Sequence, residues 1–437
     1  MSQSIHSTSP KNIIFMIADG MGVALVSAYR EYVNQHADGL RQPCIYNHHL
    51  VGQQSTYSFD GWSTITDSAA SSTAMATGSK TANGIIGQDK DGQRLESVVE
   101  VAKAHGKKTG LVATAEVSHA TPAGFGAHVA SRNDYFAIAD QYFDDKVGDD
   151  FKLDVMLGGG RHHFIRPDRN LGYEFKKAGY DVIHTHSELA ESTNSQVLGL
   201  FSEFGLPMAI DRNPQVIPSL KEMTQSAIKR LDNEQGFFLM VEGSQIDWGA
   251  HHHDIVAAMS EIADFTAAFE AALDFAKADG DTLVIATADH ATGGMTMGVN
   301  EVASWLPEYI RAVTQTPGKI AKDMLLSHDW MQSLTDNIDF TLSSTELNQI
   351  YSTYQQNAFT PEQKRVNLED TLCEIIDRRS NTGWTTGDHT GEDVNVYAFG
   401  PGKEAWAGWR ENSHTGQQLK AWAAGQDMTS IDPFEAE

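Results

Sequence analysis

The chain has 437 residues, 41% of them hydrophobic, and a formal net charge of −26 at pH 7. That length suits one large α/β domain with insertions, or two domains, and the apolar content supports a packed globule. The acidic excess argues against nucleic acid or an anionic membrane as the main partner, and no apolar run reaches membrane-spanning length.

The segment MSQSIHSTSPKN at the start has no apolar h-region, so it reads as a cytosolic protein or as a mature form whose signal has been removed. NIIFMIADG follows, a continuous apolar run of the kind buried on both faces of a parallel sheet, ending in Asp19 and Gly20. The only cysteines, Cys44 and Cys373, are too few for a disulfide framework or a thiolate zinc site. They could pair, but two free thiols are expected. TDSAASSTAMATG, residues 66–78, predicts a helix of small side chains held tightly against something, with Asp67 and Ser68 at its N-terminus. That end is a seat for an anion, where an alkoxide of Ser68 or a phosphoryl oxygen would be stabilised; taken alone, the stretch reads more simply with Asp67 or Ser68 as an N-cap.

Helix signals such as LESVVEVAKAHG then alternate with further strand signals, KTGLVATAEV, DVMLGGG, GFFLMVEGS, DTLVIATADH and VNVYAFGPG. Strand, helix, strand alternation predicts a doubly wound, mostly parallel α/β sheet with helices on both faces. GFFLMVEGS delivers Glu242 and DTLVIATADH delivers Asp289 and His290, as NIIFMIADG delivers Asp19. In an open parallel sheet, residues past the carboxyl ends of strands share one crevice, so these side chains should meet. In EGSQIDWGAHHHD, Asp247 and His251 stand at i and i+4, one face of a helix, a spacing that suits two ligands of one metal; His252 and His253 point off that face. Asp, Glu and His without Cys suit Zn²⁺ in mixed nitrogen and oxygen sites and Mg²⁺ in an all-oxygen site. SHATPAGFGAHVASRNDY offers Arg132, whose planar fork can grip two phosphate oxygens. Residues 296–380 break the rhythm and are expected to form an insertion on the sheet's edge, within a single domain spanning 1–437.

Together these residues resemble the alkaline phosphatases, dimeric metal-dependent phosphomonoesterases. The nucleophile motif D-S-A-A-S-x-T-A matches Asp67 to Ala74, and the first metal strand matches IADGMG. E-G-x-x-I-D-x-x-x-H matches Glu242 through His251, T-A-D-H matches Thr287 to His290, and A-T-P-A matches Ala120 to Ala123. H-V-x-S-R matches His128 to Arg132, and H-T-G matches His389 to Gly391. The matches run in order from Asp19 to about Pro401.

The resemblance implies two zinc ions and one magnesium ion. One zinc would be held by Asp247, His251 and His389, and a second, close to Ser68, by Asp19, Asp289 and His290. The magnesium would be held by Asp19, Thr121 and Glu242, with Asp19 bridging. Ser68 would be a covalent nucleophile, Arg132 would bind the phosphoryl group, and Asp67 would orient Arg132 or cap the helix. The enterobacterial pattern has an Asp and a Lys near the magnesium; here His119 and Trp248 stand in their places, which leaves the third ion's identity open. A homodimer acting on small phosphate monoesters in the periplasm or outside the cell is expected, with 296–380 as a surface or crown-like dimer contact. His-Thr-Gly recurs at His414, in ENSHTGQQLKAWAAG, which reads as a surface helix with a Ser or Thr cap; His389 is therefore the expected ligand.

Overall fold

The computed structural model describes residues 9–34, 43–59, 64–299, 301–356 and 360–426. Ten strands form one sheet: β1 (Asn12–Ala18), β2 (Leu50–Ser55), β3 (Lys108–Glu116), β4 (Val155–Gly159), β5 (Asp181–Ile183), β6 (Val197–Leu200), β7 (Phe237–Gly243), β8 (Thr282–Thr287), β9 (Val394–Phe399) and β10 (Gly408–Glu411). Their order across the sheet is β10-β2-β9-β8-β1-β7-β3-β4-β6-β5. All neighbouring pairs are parallel except those of β9 with β8 and with β2. The six apolar runs legible in the sequence are β1, β3, β4, β7, β8 and β9; β2, β5, β6 and β10 are short or polar and carry no comparable run.

Alternation along β1 shows why those runs are continuous. Ile14, Met16 and Ala18 enter one core and Ile13, Phe15 and Ile17 the other, so from Ile13 to Ala18 both faces are covered and every side chain is apolar. On one face lie Leu220–Leu231 and helix α4 (Ile255–Asp279); on the other, α1 (Ser68–Thr77), Val98–Ala104, α2 (Ala120–Gly126) and α6 (Asn412–Ala423). Helix α3 (Gln245–His251) follows β7 directly.

Within 296–380, helices Pro317–Leu326, Ser344–Tyr354 and α5 (Pro361–Ser380) pack on one another, and their Ile320, Ile350, Leu372 and Ile376 extend the α4 core outward. Thr316 anchors this layer, its N–H and hydroxyl donating to Asp211 at 3.0 and 2.6 Å. Cys44 and Cys373 are both buried free thiols. No helix among the described residues is long and apolar enough to cross a membrane.

Candidate active site

Four adjacent strands, β8, β1, β7 and β3, bring their carboxyl ends to one place. Ile17 is level with Thr287 and Glu242, and Glu242 with Ala113, so Asp19, Glu242 and Asp289 emerge side by side. All three are buried without measurable exposure. Gly20 is required here: its φ is +73°, and a Cβ would lie 2.7 Å from Asp247 Cα. Its N–H donates to Asp289 Oδ1 at 3.2 Å.

At the N-terminus of α1, the Asp67 carboxylate has three partners. One carboxylate oxygen accepts from the Ala70 N–H at 2.9 Å, capping the helix; the other accepts from Arg132 Nη1 at 3.0 Å and from the Gly84 N–H at 3.0 Å. The capping and the orienting roles are therefore carried by one side chain. Ser68 occupies the first helical position, 2% exposed, with Oγ 3.2 Å from His290 Nε2. Every residue of α1 is buried. Its small side chains let it be crowded from two sides: a Cβ on Gly124 of α2 would meet Ser72 Oγ at 2.3 Å, and one on Gly416 of α6 would meet the Ala74 carbonyl at 2.4 Å.

Among the described residues, three groups of side chains present ligand atoms within 4.8 Å of one another: Asp247, His251 and His389; Asp19, Asp247 and His290; and Asp19, His119 and Glu242. In the first, α3 sets the i, i+4 pair, with His251 Nε2 3.2 Å from Asp247 Oδ2. His389 arrives by a short antiparallel ladder, His389–Thr390 against Ala291–Thr292, which stacks its ring on His290 at 3.6 Å between centroids. Nδ1 of His251 donates to the Gly387 carbonyl at 2.6 Å and Nδ1 of His389 to the Thr66 carbonyl at 2.8 Å. Both Nε2 atoms are thereby turned inward, 3.2 Å apart, in the tautomer a metal ligand needs.

The second group places Asp247 beside Asp19 and His290; Asp289 lies next to it, with Oδ2 3.2 Å from His290 Nε2. In the third, Thr121 Oγ1 stands 3.5 Å from Asp19 Oδ2, and His119, expected from the sequence to lie outside the ligand set, comes within ligand distance of Asp19 and Glu242. Trp248 stands edge-on to His119 at 6.0 Å.

Electrostatics make this cluster a poor resting place without cations. Burial, then the neighbouring Asp289, Asp247 and Glu242, push Asp19 well above the usual carboxylate range, and burial pushes Glu242 up to about 8. The hydrogen bond to Asp247 pushes His251 up to about 9, whereas burial and His290 push His389 down to about 4. Asp19 Oδ1, both oxygens of Glu242, Asp289 Oδ2 and His119 Nδ1 are buried without a hydrogen-bond partner. Orphaned oxygens and a ring nitrogen converging in this way fit oxygen- and nitrogen-seeking divalent cations.

Thr292 was not legible in the sequence. Its hydroxyl donates to Asp247 Oδ1 at 2.5 Å and lies 3.2 Å from His290 Nδ1, tying two candidate ligands together. Its position two residues beyond His290 was the only available hint. His414, by contrast, lies in the first turn of α6, and no candidate metal group among the described residues includes it. The helix that carries it is not a surface helix. It is capped by no Ser or Thr side chain and packs against α1, with Asn412 Nδ2 donating to Ser71 Oγ at 3.1 Å and Leu419 and Trp422 buried. Small residues on both helices make that close packing possible, and an amphipathic reading could not see it.

A family model described as alkaline phosphatase matches residues 10–425. The chain is 47% identical over 401 residues to alkaline phosphatase 3 of Bacillus subtilis strain 168, covering 91% of this chain and 85% of that protein. The cold-active alkaline phosphatase of the psychrophile Shewanella sp. has the same fold with a TM-score of 0.87 at 38% identity, over 94% of this chain and 99% of that one. A variant of the alkaline phosphatase of the Antarctic bacterium TAB5, solved with Mg bound in the M3 site, matches with a TM-score of 0.68 at 27% identity, over 96% of this chain and 99% of that one. The chain belongs to the alkaline phosphatase family.

Proposed function

We propose, from membership of the alkaline phosphatase family, that this metal-binding hydrolase of phosphate monoesters works through a covalent phosphoserine at Ser68. The observation that carries the reading is the position of Ser68 Oγ: at the N-terminus of a buried helix, 3.2 Å from His290, and next in the chain to Asp67, which holds Arg132 in place. Asp247, His251 and His389 would hold one zinc, Asp19, Asp289 and His290 a second, and Asp19, Thr121 and Glu242 a magnesium, with His119 as a further donor. When bound, these cations supply Lewis acidity toward the Ser68 hydroxyl and the departing oxygen.

The residues of the chain then divide the work. Ser68 Oγ forms a bond to phosphorus as the bond from phosphorus to the alcohol oxygen breaks, and the alcohol leaves. Arg132 and the first turn of α1 hold the equatorial oxygens, a planar fork and a positive helix end both matched to a phosphoryl group. Water later cleaves the phosphoseryl ester, releasing inorganic phosphate and restoring Ser68. Burial of Ser68 keeps these contacts in a low-dielectric setting, where each is stronger than in water.

A homodimer, located in the periplasm or outside the cell, is part of the same proposal, as is a dimer contact through 296–380. Hydrolysis of an aryl phosphate, followed with and without a chelator, tests the central reading. Activity should fall to background on chelation and return with Zn²⁺ and Mg²⁺ together. Undiminished turnover by verified metal-free protein would sink it.

A further inference from the structure

Starting at Asn133, the residue after Arg132 in the chain, is a groove of about 530 Å³ whose lining includes Asp134, Tyr135, Phe136, His162, His163 and Phe204. Its aromatic content is dense and partly open to solvent: Phe136 is 47% exposed and Phe204 59%. Exposed aromatic side chains that are gathered rather than scattered mark a binding surface. His162 sits between them, its ring 6.1 Å from Phe136 and 5.4 Å from Phe204. The floor is rigid, because Tyr135 stacks on His163 at 4.7 Å and His163 Nδ1 is 2.7 Å from Ser118 Oγ.

Two independent contacts join this groove to the candidate active site. Tyr135 also stacks on His119, at 6.5 Å, and His119 is within ligand distance of Asp19 and Glu242. Gly205, next to Phe204 in the chain, lies so close to the Trp248 ring that a Cβ there would come within 2.6 Å of it. Trp248 in turn stands against His119. The chain itself makes a third link, since Asn133 directly follows Arg132. A phosphate monoester gripped by Arg132 must direct its alcohol portion away from the buried cluster, and the groove begins one residue from that arginine.

We infer that the groove binds the alcohol portion of the substrate and favours monoesters of flat aromatic alcohols over those of small aliphatic ones. Offset stacking and edge contacts with Phe136, Phe204 and His162 supply the preference, in a cavity of the size that holds one small ligand. This rests on the phosphomonoesterase reading and adds a substrate class to it. The buried Arg166 lies over the Phe136 ring at 4.9 Å and braces it.

The test compares kcat/KM for 2-naphthyl phosphate and for glycerol 2-phosphate in the unmodified protein and in the double variant Phe136→Ala, Phe204→Ala. The ratio of the two values should fall about tenfold in the variant, the size expected for losing a pair of ring contacts. The ratio does not depend on the fraction of protein that is folded. A ratio unchanged by the double substitution overturns the groove assignment, even if both rates drop together. Failure of the unmodified protein to hydrolyse either ester overturns the phosphomonoesterase reading itself, a separate result.

Discussion

Ser68 illustrates how much a single residue depends on its surroundings. A serine hydroxyl is a weak nucleophile, and 2% exposure removes the water that would otherwise solvate its alkoxide. Ser68→Ala should therefore leave the fold and bound metal intact, since it removes one contact to His290 and no carboxylate or imidazole ligand, while turnover falls by at least about a thousandfold. Trapping of radiolabelled phosphate on the protein at acidic pH should disappear with it; near-normal turnover by the variant would exclude a covalent serine intermediate. The two His-Thr-Gly copies pose a second choice. His389 has a backbone acceptor for Nδ1 and a stacked neighbour, whereas His414 belongs to a helix packed on α1. His389→Ala should lower bound zinc and nearly abolish activity, and His414→Ala should change zinc content little, as metal analysis of both variants will show. Loss of zinc from the second and retention by the first would reverse the assignment.

Helix α4 shows the same dependence at the level of an element. Its apolar positions and closing Gly280 mark a helix in the sequence, yet Glu261, fully enclosed on it, had no visible partner. In the fold, Glu261 Oε1 accepts from the Ala209 N–H while Oε2 is buried without a partner. Burial, opposed by Arg212, raises its pKa from 4.5 to about 7. The folded state thus holds a proton that the unfolded chain has lost, so stability falls as pH rises from about 4.5 to about 7 and stays lower above that. Glu261→Gln removes the titration. The variant should gain stability over the parent across that window, reaching about 1–3 kcal/mol at pH 8, with little difference below pH 4. Thermal unfolding of both proteins across the range provides the check; a gap that does not widen with pH would refute the account. The strand runs were legible for a plain reason. Continuous burial on both faces demands consecutive apolar residues, and β5, β6 and β10, being short or edge-placed, and β2, being partly exposed, escape that demand.

For the molecule as a whole, the layer built by 296–380 closes the α4 core and leaves Leu326 75%, Tyr351 49% and Met331 37% exposed. If that face joins two copies, Leu326→Asp with Tyr351→Asp should shift sedimentation toward a monomer without loss of bound zinc; a variant that still sediments as a dimer would place the contact elsewhere. The sequence by itself determined the sheet's central strands, the acids that end them, the Ser68 helix and the i, i+4 pair of Asp247 and His251, because each is written within a few neighbouring residues. Only the tertiary structure decided which side chains share a cluster. Asp247 between two groups, His119 beside Glu242, Thr292 bridging Asp247 and His290, and α6 against α1 all join residues distant in the chain or unmarked by composition. Their meeting is set by strand order and by how closely small side chains let helices approach, and neither has a local signature.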